Sequence, residues 1–259
     1  VTTRAADEAR TPFDLRGRCA AVTGAGRGLG RAVALGLARA GADVVLLGRP
    51  GRQDETRAQV AALGGRVDVV DLDVADLDAV ERTAATLDDS RQIDVLVNNA
   101  GIIEREDSTA VARDSWRRVL DVNLDGLFFL TQQLGRPMVE RGRGKIVSIA
   151  SLLSFQGGLR VASYAASKHA VAGVTKALAN EWGPHGVQVN AIAPGYMVTD
   201  NTTALRKDAD RSRSILERIP AGRWGTPEDV AGAAVFLSSP AADYVNGHLL
   251  AVDGGWMAR

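Results

Sequence analysis

Cysteine is nearly absent from this 259-residue chain, which has Cys19 and no other. A lone thiol excludes an internal disulfide and any zinc site built on several cysteines. Cys19 lies in an apolar run, where a small buried thiol is expected. Histidine is almost as scarce. His169, His185 and His248 stand at no ligand spacing from one another, so no metal site is expected. Only four residues are lysine, no basic run stands out, and 31 basic residues balance 31 acidic ones. Such a balance offers no surface for nucleic acid or an anionic membrane. No apolar stretch reaches the roughly 20 residues of a membrane helix. The first residues also lack the basic-then-apolar order of a signal peptide, and a reducing cytoplasm is the expected compartment.

What is present has a globular balance, 46% hydrophobic and 24% charged. Residues 1–12 are polar and pattern-free and are expected to form a flexible extension; residues 13–259 are expected to form one domain. Within that span short apolar runs alternate with longer helical stretches, the pattern of βαβ units around a parallel sheet. Strands are predicted at Arg18–Thr23, Asp43–Leu47, Val67–Asp71, Val95–Asn98, Lys145–Ser148, Val187–Ile192 and His248–Val252. Their β-branched, nearly unbroken hydrophobicity suits strands covered on both faces. Helices are predicted at Gly28–Ala40, Asp76–Leu87, Asp114–Glu140, Ser163–Trp182 and Pro227–Leu237. The last opens with Thr226 as cap, proline at the first position and two acids on the positive helix end. The fold class is therefore α/β, a doubly wound parallel sheet of about seven strands. The polar stretch 196–223 interrupts the alternation after the sixth strand, where ligands bind in open sheets, and is expected to be a substrate loop.

Three motifs carry chemistry. The first strand runs into a helix through Thr23-Gly24-Ala25-Gly26-Arg27-Gly28-Leu29-Gly30. Glycines allow a tight turn and close approach of backbone to a pyrophosphate, whose charge the helix N-terminus favours. The fourth strand ends in Asn98-Asn99-Ala100-Gly101, where small residues and an amide can meet a ribose or ring. Tyr164 and Lys168 are four residues apart and share one helical face. A phenol with a pKa near 10 is a poor proton carrier at neutral pH; a nearby ammonium favours the phenolate and is expected to draw it down. Ser151, thirteen residues before Tyr164, could reach the same substrate oxygen.

The ordered set Thr23–Gly30, Asn98–Gly101, Asn123, Ser151, Tyr164, Lys168 and Pro194-Gly195 resembles the short-chain dehydrogenase/reductase family over nearly the whole chain from about Leu15. The resemblance implies a Rossmann-type, dinucleotide-binding catalytic domain. It makes Tyr164 the general acid/base, Lys168 the holder of the nicotinamide ribose, Ser151 the group orienting the substrate oxygen, and Asn123 a link from Lys168 to solvent through water. It places the nicotinamide carboxamide against Pro194, Gly195, Met197 and Thr199, and the adenine beside Asp73 and Val74. It also implies a homotetramer.

Longer runs resemble the sugar-acid members of that family, the gluconate and deoxygluconate dehydrogenases. They include Gly101-Ile102-Ile103, Arg105-Glu106-Asp107, Ser154 to Gly158, Arg218 to Gly225, and Asp243 through Trp256. A secondary alcohol or ketone of a sugar acid is the implied substrate, with a 3-oxoacyl thioester, another ketone, or a catalytically silent dinucleotide sensor as alternatives. A sugar acid needs a cation for its carboxylate; Arg160 is the first candidate, followed by Arg105, Arg206 and Arg223. The second strand ends Leu46-Leu47-Gly48-Arg49, with no acid for a ribose 2′-hydroxyl. Arg49, with Arg27 in the glycine loop, suits a 2′-phosphate, so NADP(H) is the favoured cofactor and NAD(H) is left open.

Overall fold

The computed structural model describes residues 11–259, so most of the expected extension lies outside the described residues. Pro12 and Phe13 are already tied in. The Pro12 carbonyl accepts from Ala241 N–H at 2.9 Å, and the Phe13 ring lies 6.4 Å from that of Phe236.

Seven parallel strands form one sheet in the order β3-β2-β1-β4-β5-β6-β7. They are β1 (Cys19–Thr23), β2 (Asp43–Gly48), β3 (Val67–Asp71), β4 (Val95–Asn98), β5 (Gly144–Ile149), β6 (Val187–Pro194) and β7 (Leu249–Val252). Helices cover both faces: α1 (Gly28–Arg39), α2 (Asp54–Ala62), α3 (Leu77–Ser90), α4 (Arg113–Leu120), α5 (Gly126–Glu140), α6 (Ala162–Trp182) and α9 (Pro227–Ser238). Two short helices, α7 (Thr203–Lys207) and α8 (Ala209–Leu216), lie in the stretch expected to be a substrate loop.

Alternation along each strand sorts its side chains between two cores. Ala20 and Val22 of β1, Val44 and Leu46 of β2, and Val95 and Val97 of β4 pack with Val33 and Leu37 of α1 and Val230 and Leu237 of α9. The intervening Ala21, Val45, Leu47 and Leu96 pack with Val80 of α3, Leu130 and Leu134 of α5 and Leu178 of α6. Strands buried on both faces thus read as unbroken apolar runs. Gly36 lets α1 lie close on α9, since a Cβ there would stand 3.1 Å from that of Ala231.

Two elements differ from the sequence expectation. Helix α2 was not foreseen, because only Thr56 and Val60 of its nine residues are buried. The helix expected over Asp114–Glu140 is broken by a π-helical turn, Asp121–Asp125. Its apolar spacing continues through the break and hides it. Gly126 follows that turn with its α-carbon against Val74, where a Cβ would come within 2.1 Å of the carbonyl oxygen. Strand order reverses at β1, with β2 on one side and β4 on the other, so a crevice opens at the carboxyl ends of these strands. Among the described residues no helix is long and apolar enough to cross a membrane.

Candidate functional site

A cleft of about 1050 Å³ follows that crevice, from the glycine loop and the end of β2 at one extreme to Tyr164 and Lys168 at the other. Gly24 and Gly28 take left-handed backbone, φ +63° and +53°, which glycine alone adopts readily. Gly30 is required by space, since a Cβ there would stand 2.3 Å from the Gly24 carbonyl oxygen and 2.4 Å from Asn99 Nδ2. Helix α1 begins without a side-chain cap and with no acid in its first turn. Its free N–H groups and positive end are left to face an anion in the cleft.

The end of β4 is clamped onto this loop. Thr23 Oγ1 accepts from the backbone N–H of both Asn99 and Ala100 at 2.9 Å. Asn99 Nδ2 donates to the carbonyls of Thr23 (2.8 Å) and Gly24 (3.2 Å). Asn99 therefore spends its amide on the protein, and the backbone of Asn99, Ala100 and Gly101 forms the cleft wall.

Lys168, on α6, is 4% exposed. Its ammonium lies 5.6 Å from the centroid of the Tyr164 ring and donates to the Ile149 carbonyl at 2.6 Å. Burial lowers its pKa to about 8. Burial acts on the Tyr164 phenol in the opposite sense and raises its pKa, opposed by a hydrogen bond from the Ser151 hydroxyl and by the charge of Arg105. The groups that draw the phenol down are Ser151 and Arg105, while the Lys168 ammonium, beside the ring, is bonded to Ile149.

Two serines outside the sequence expectation hold this helix. Ser154 Oγ donates to the Lys168 carbonyl at 2.7 Å, and Ser167 Oγ to that of Tyr164 at 2.7 Å. Asn123 is fully buried in the π-turn. Its side chain exchanges two hydrogen bonds with the Ile102 backbone and donates to Ser167 Oγ at 3.1 Å. Its amide therefore fastens the loop after β4 to α6. A buried serine has no sequence signal apart from its neighbours, which is why both were missed.

Gly24, Arg27, Gly28, Leu29, Gly30, Arg49, Asp73, Val74, Asn99, Ala100, Gly101, Tyr164, Lys168 and Thr199 all line the cleft. Pro194, Gly195 and Met197 do not. Gly195 N–H is used by the Val252 carbonyl at 2.9 Å, and the Met197 side chain is buried in the core beside Val230. Thr199 caps the turn Asp200–Thr202, and its methyl approaches Gly28 across the cleft. Arg27 forms an exposed ion pair with Asp200 at 2.7 Å. Arg52, Gln53 and Asn201 also line the cleft and were not anticipated.

The four candidate arginines separate clearly. Arg160 has left-handed backbone, φ +62°, and its side chain forms an ion pair with Asp107 at 3.1 Å. Arg223 grips both oxygens of Asp229 at 2.7 and 2.9 Å. Arg206 donates to the Thr199 carbonyl at 3.3 Å. Arg105 faces no acid among the described residues: its guanidinium donates to the Asn201 carbonyl at 3.2 Å, and its charge is felt at the Tyr164 phenol.

A family model described as enoyl-(acyl carrier protein) reductase matches residues 24–257. The chain is 54% identical over 247 residues to a 2-dehydro-3-deoxy-D-gluconate 5-dehydrogenase of Bacillus subtilis, covering 95% of this chain and 97% of that one. It is 51% identical over 252 residues to the enzyme of the same name from Escherichia coli, covering 95% and 98%. The solved structure of a gluconate 5-dehydrogenase from Burkholderia cenocepacia, in complex with NADP and tartrate, superposes with a TM-score of 0.93 at 41% identity, covering 96% and 98%. Likeness of this depth along almost every residue is kinship, and the chain belongs to the short-chain dehydrogenase/reductase family.

Proposed function

We propose that the protein is an NADP(H)-accepting dehydrogenase that interconverts a secondary alcohol and a ketone on a sugar acid of the gluconate or 2-dehydro-3-deoxygluconate type. The observation that carries this reading is one continuous cleft with an uncapped, glycine-built helix N-terminus at one end and Tyr164 and Lys168 at the other, with the Ser151 hydroxyl beside the phenol. The relatives' names supply the substrate class, and the Burkholderia neighbour carries NADP together with a small dicarboxylate.

The residues fit a dinucleotide. Backbone at Gly24, Gly28 and Gly30 leaves room where side chains would intrude, and the first turn of α1 offers its N–H groups to a pyrophosphate. Bound there, the nicotinamide supplies or accepts the hydride. The Tyr164 phenol gives a proton to the alkoxide oxygen in reduction and takes it back in oxidation. Its raised pKa keeps it protonated at neutral pH, the state reduction needs. The Ser151 hydroxyl donates to the same oxygen as negative charge develops there. Lys168 presents a buried positive charge to the ribose side of the cleft, and Ser154, Ser167 and Asn123 fix the helix on which it stands. Arg105, whose charge bears on the phenol and whose guanidinium donates to the Asn201 carbonyl, receives the substrate carboxylate.

The stretch 196–223, with α7 and α8, is the substrate cover within one catalytic domain spanning residues 13–259. A cytoplasmic homotetramer is the assembly we infer. The lone, buried Cys19, whose pKa burial raises, suits a reducing compartment, and the outward-facing Phe129 of α5 offers a surface for a second copy.

The test is turnover of a sugar-acid panel with NADP(H) and NAD(H), for wild type and Tyr164→Phe. Loss of about 10³-fold or more in kcat, with dinucleotide affinity retained, is expected. Near-normal kcat in the variant refutes the mechanism, and no turnover of any sugar acid by wild type refutes the substrate class.

A further inference from the structure

At the glycine-loop end of the cleft one polar group is unaccounted for. Gln53, just before α2, is 1% exposed, lines the cleft, and has an Nε2 with no hydrogen-bond partner. Its Oε1 is already used, accepting from Arg52 N–H at 3.0 Å, so the free atom is a donor. A buried amide donor without an acceptor is costly and needs an explanation, and at this place an oxygen of a ligand in the cleft supplies one.

The surroundings say what kind. Nε2 lies against the last residue of β2, where a Cβ on Gly48 would stand 2.6 Å from it. The position from which an acid would grip a ribose diol is therefore filled by the glutamine amide, and an aspartate at Gly48 could not enter without displacing it. Arg49 and Arg52 line the cleft as well. Neither guanidinium has a partner among the described residues. The nearby Glu55 is held by Arg31 at 2.6 Å.

We infer that Gln53 is a specificity-determining residue whose Nε2 donates to the substituent on the 2′-carbon of the adenosine ribose, and that with Arg49 and Arg52 it selects phosphate over hydroxyl there. This rests on the reading of the cleft as a nicotinamide-dinucleotide site and adds the side chain that discriminates. A neutral amide can serve a hydroxyl as well as a phosphate oxygen, but its hydrogen bond to a dianion is about twice as strong. Loss of the amide therefore falls mainly on the phosphorylated ligand.

The experiment uses the full chain and calorimetric binding of adenosine 2′,5′-bisphosphate, of adenosine 5′-diphosphate and of NADPH, with melting curves to confirm folding. Gln53→Met keeps the length and burial of the side chain and removes the donor. It is expected to weaken the 2′,5′-bisphosphate by at least about tenfold while leaving the 5′-diphosphate within about threefold. Gly48→Ala, which pushes the amide aside from the opposite wall, is expected to reproduce the loss and serves as the readout if Gln53→Met does not fold. Unchanged 2′,5′-bisphosphate binding in either folded variant, or equal weakening of both nucleotides, overturns the assignment of Gln53 while the dinucleotide site stands. Failure of wild type to bind NADPH or either nucleotide overturns the dinucleotide reading itself.

Discussion

Lys168→Met should make the protein more stable while removing its activity. The lysine is buried on α6 with its pKa lowered from 10.5 to about 8 by desolvation. At about 1.4 kcal/mol per pH unit, that fall sets about 3 kcal/mol against the charged side chain at pH 7. The sign follows from proton counting. Between pH 8 and 10.5 the unfolded chain holds the proton that the folded chain has released, so stability rises with pH through that window. The penalty is full below about pH 8 and gone above about 10.5. Methionine fills a similar volume without charge but leaves the Ile149 carbonyl without its 2.6 Å donor, a loss of about 1 kcal/mol. The balance is about 2 kcal/mol in favour of the variant at pH 7, or about 5 °C in Tm for a chain of this size. Urea unfolding of both proteins at pH 7 and pH 10 measures it. The variant should lead at pH 7, and its lead should shrink at pH 10. A variant less stable than wild type at pH 7, or a difference that does not change with pH, would refute the reasoning.

Other outcomes follow from the geometry. Gly30→Ala places a methyl group against the Gly24 carbonyl and Asn99 Nδ2; it should cost about 1–3 kcal/mol of stability and weaken NADPH binding at least about tenfold, read by melting and by nucleotide fluorescence. Asp229→Ala removes the acceptor for Thr226 N–H at 2.7 Å and the grip on Arg223 at the start of α9, and should cost about 1–2 kcal/mol. Arg223 first, then Thr226 N–H, holds that carboxyl at a pKa of about 2, below its usual 3.8. Its contribution is present above about pH 4 and fades as pH falls toward 2, so the gap between wild type and Asp229→Ala in urea should close across that range. Arg105→Met should raise KM for sugar acids about tenfold or more, whereas Arg160→Leu should leave it unchanged; the reverse ranking would move the carboxylate site to the turn at Asp107.

The sheet was legible because strands buried on both faces need apolar residues at every step, as residues 44–47 of β2 show. The catalytic helix was legible because four-residue spacing is a backbone property, so Tyr164 and Lys168 share a face wherever that helix packs. What escaped depends on geometry that composition does not encode. Helix α2 buries too little to show an apolar stripe. The π-turn at Asp121–Asp125 shifts the helix while its hydrophobic spacing runs on. Arg160 looked well placed between Ser151 and Tyr164, but its guanidinium is paired with Asp107. Gln53 gave no signal at all, since a glutamine ahead of a helix is ordinary until its amide is found enclosed. The bond from Lys168 to the Ile149 carbonyl was equally hidden, because spacing reveals that an ammonium is near but not which carbonyl it faces.

Two latches close the mouth of the cleft, Arg27 on Asp200 and Arg105 on the Asn201 carbonyl, and both hold the same three-residue tab, Asp200–Thr202. Exposed links of this kind contribute little more than thermal energy apiece and weaken further in salt. Either latch can therefore open at small cost, and an incoming carboxylate that recruits Arg105 would itself unfasten one of the two. Entry of the anion and release of the flap become a single exchange of partners.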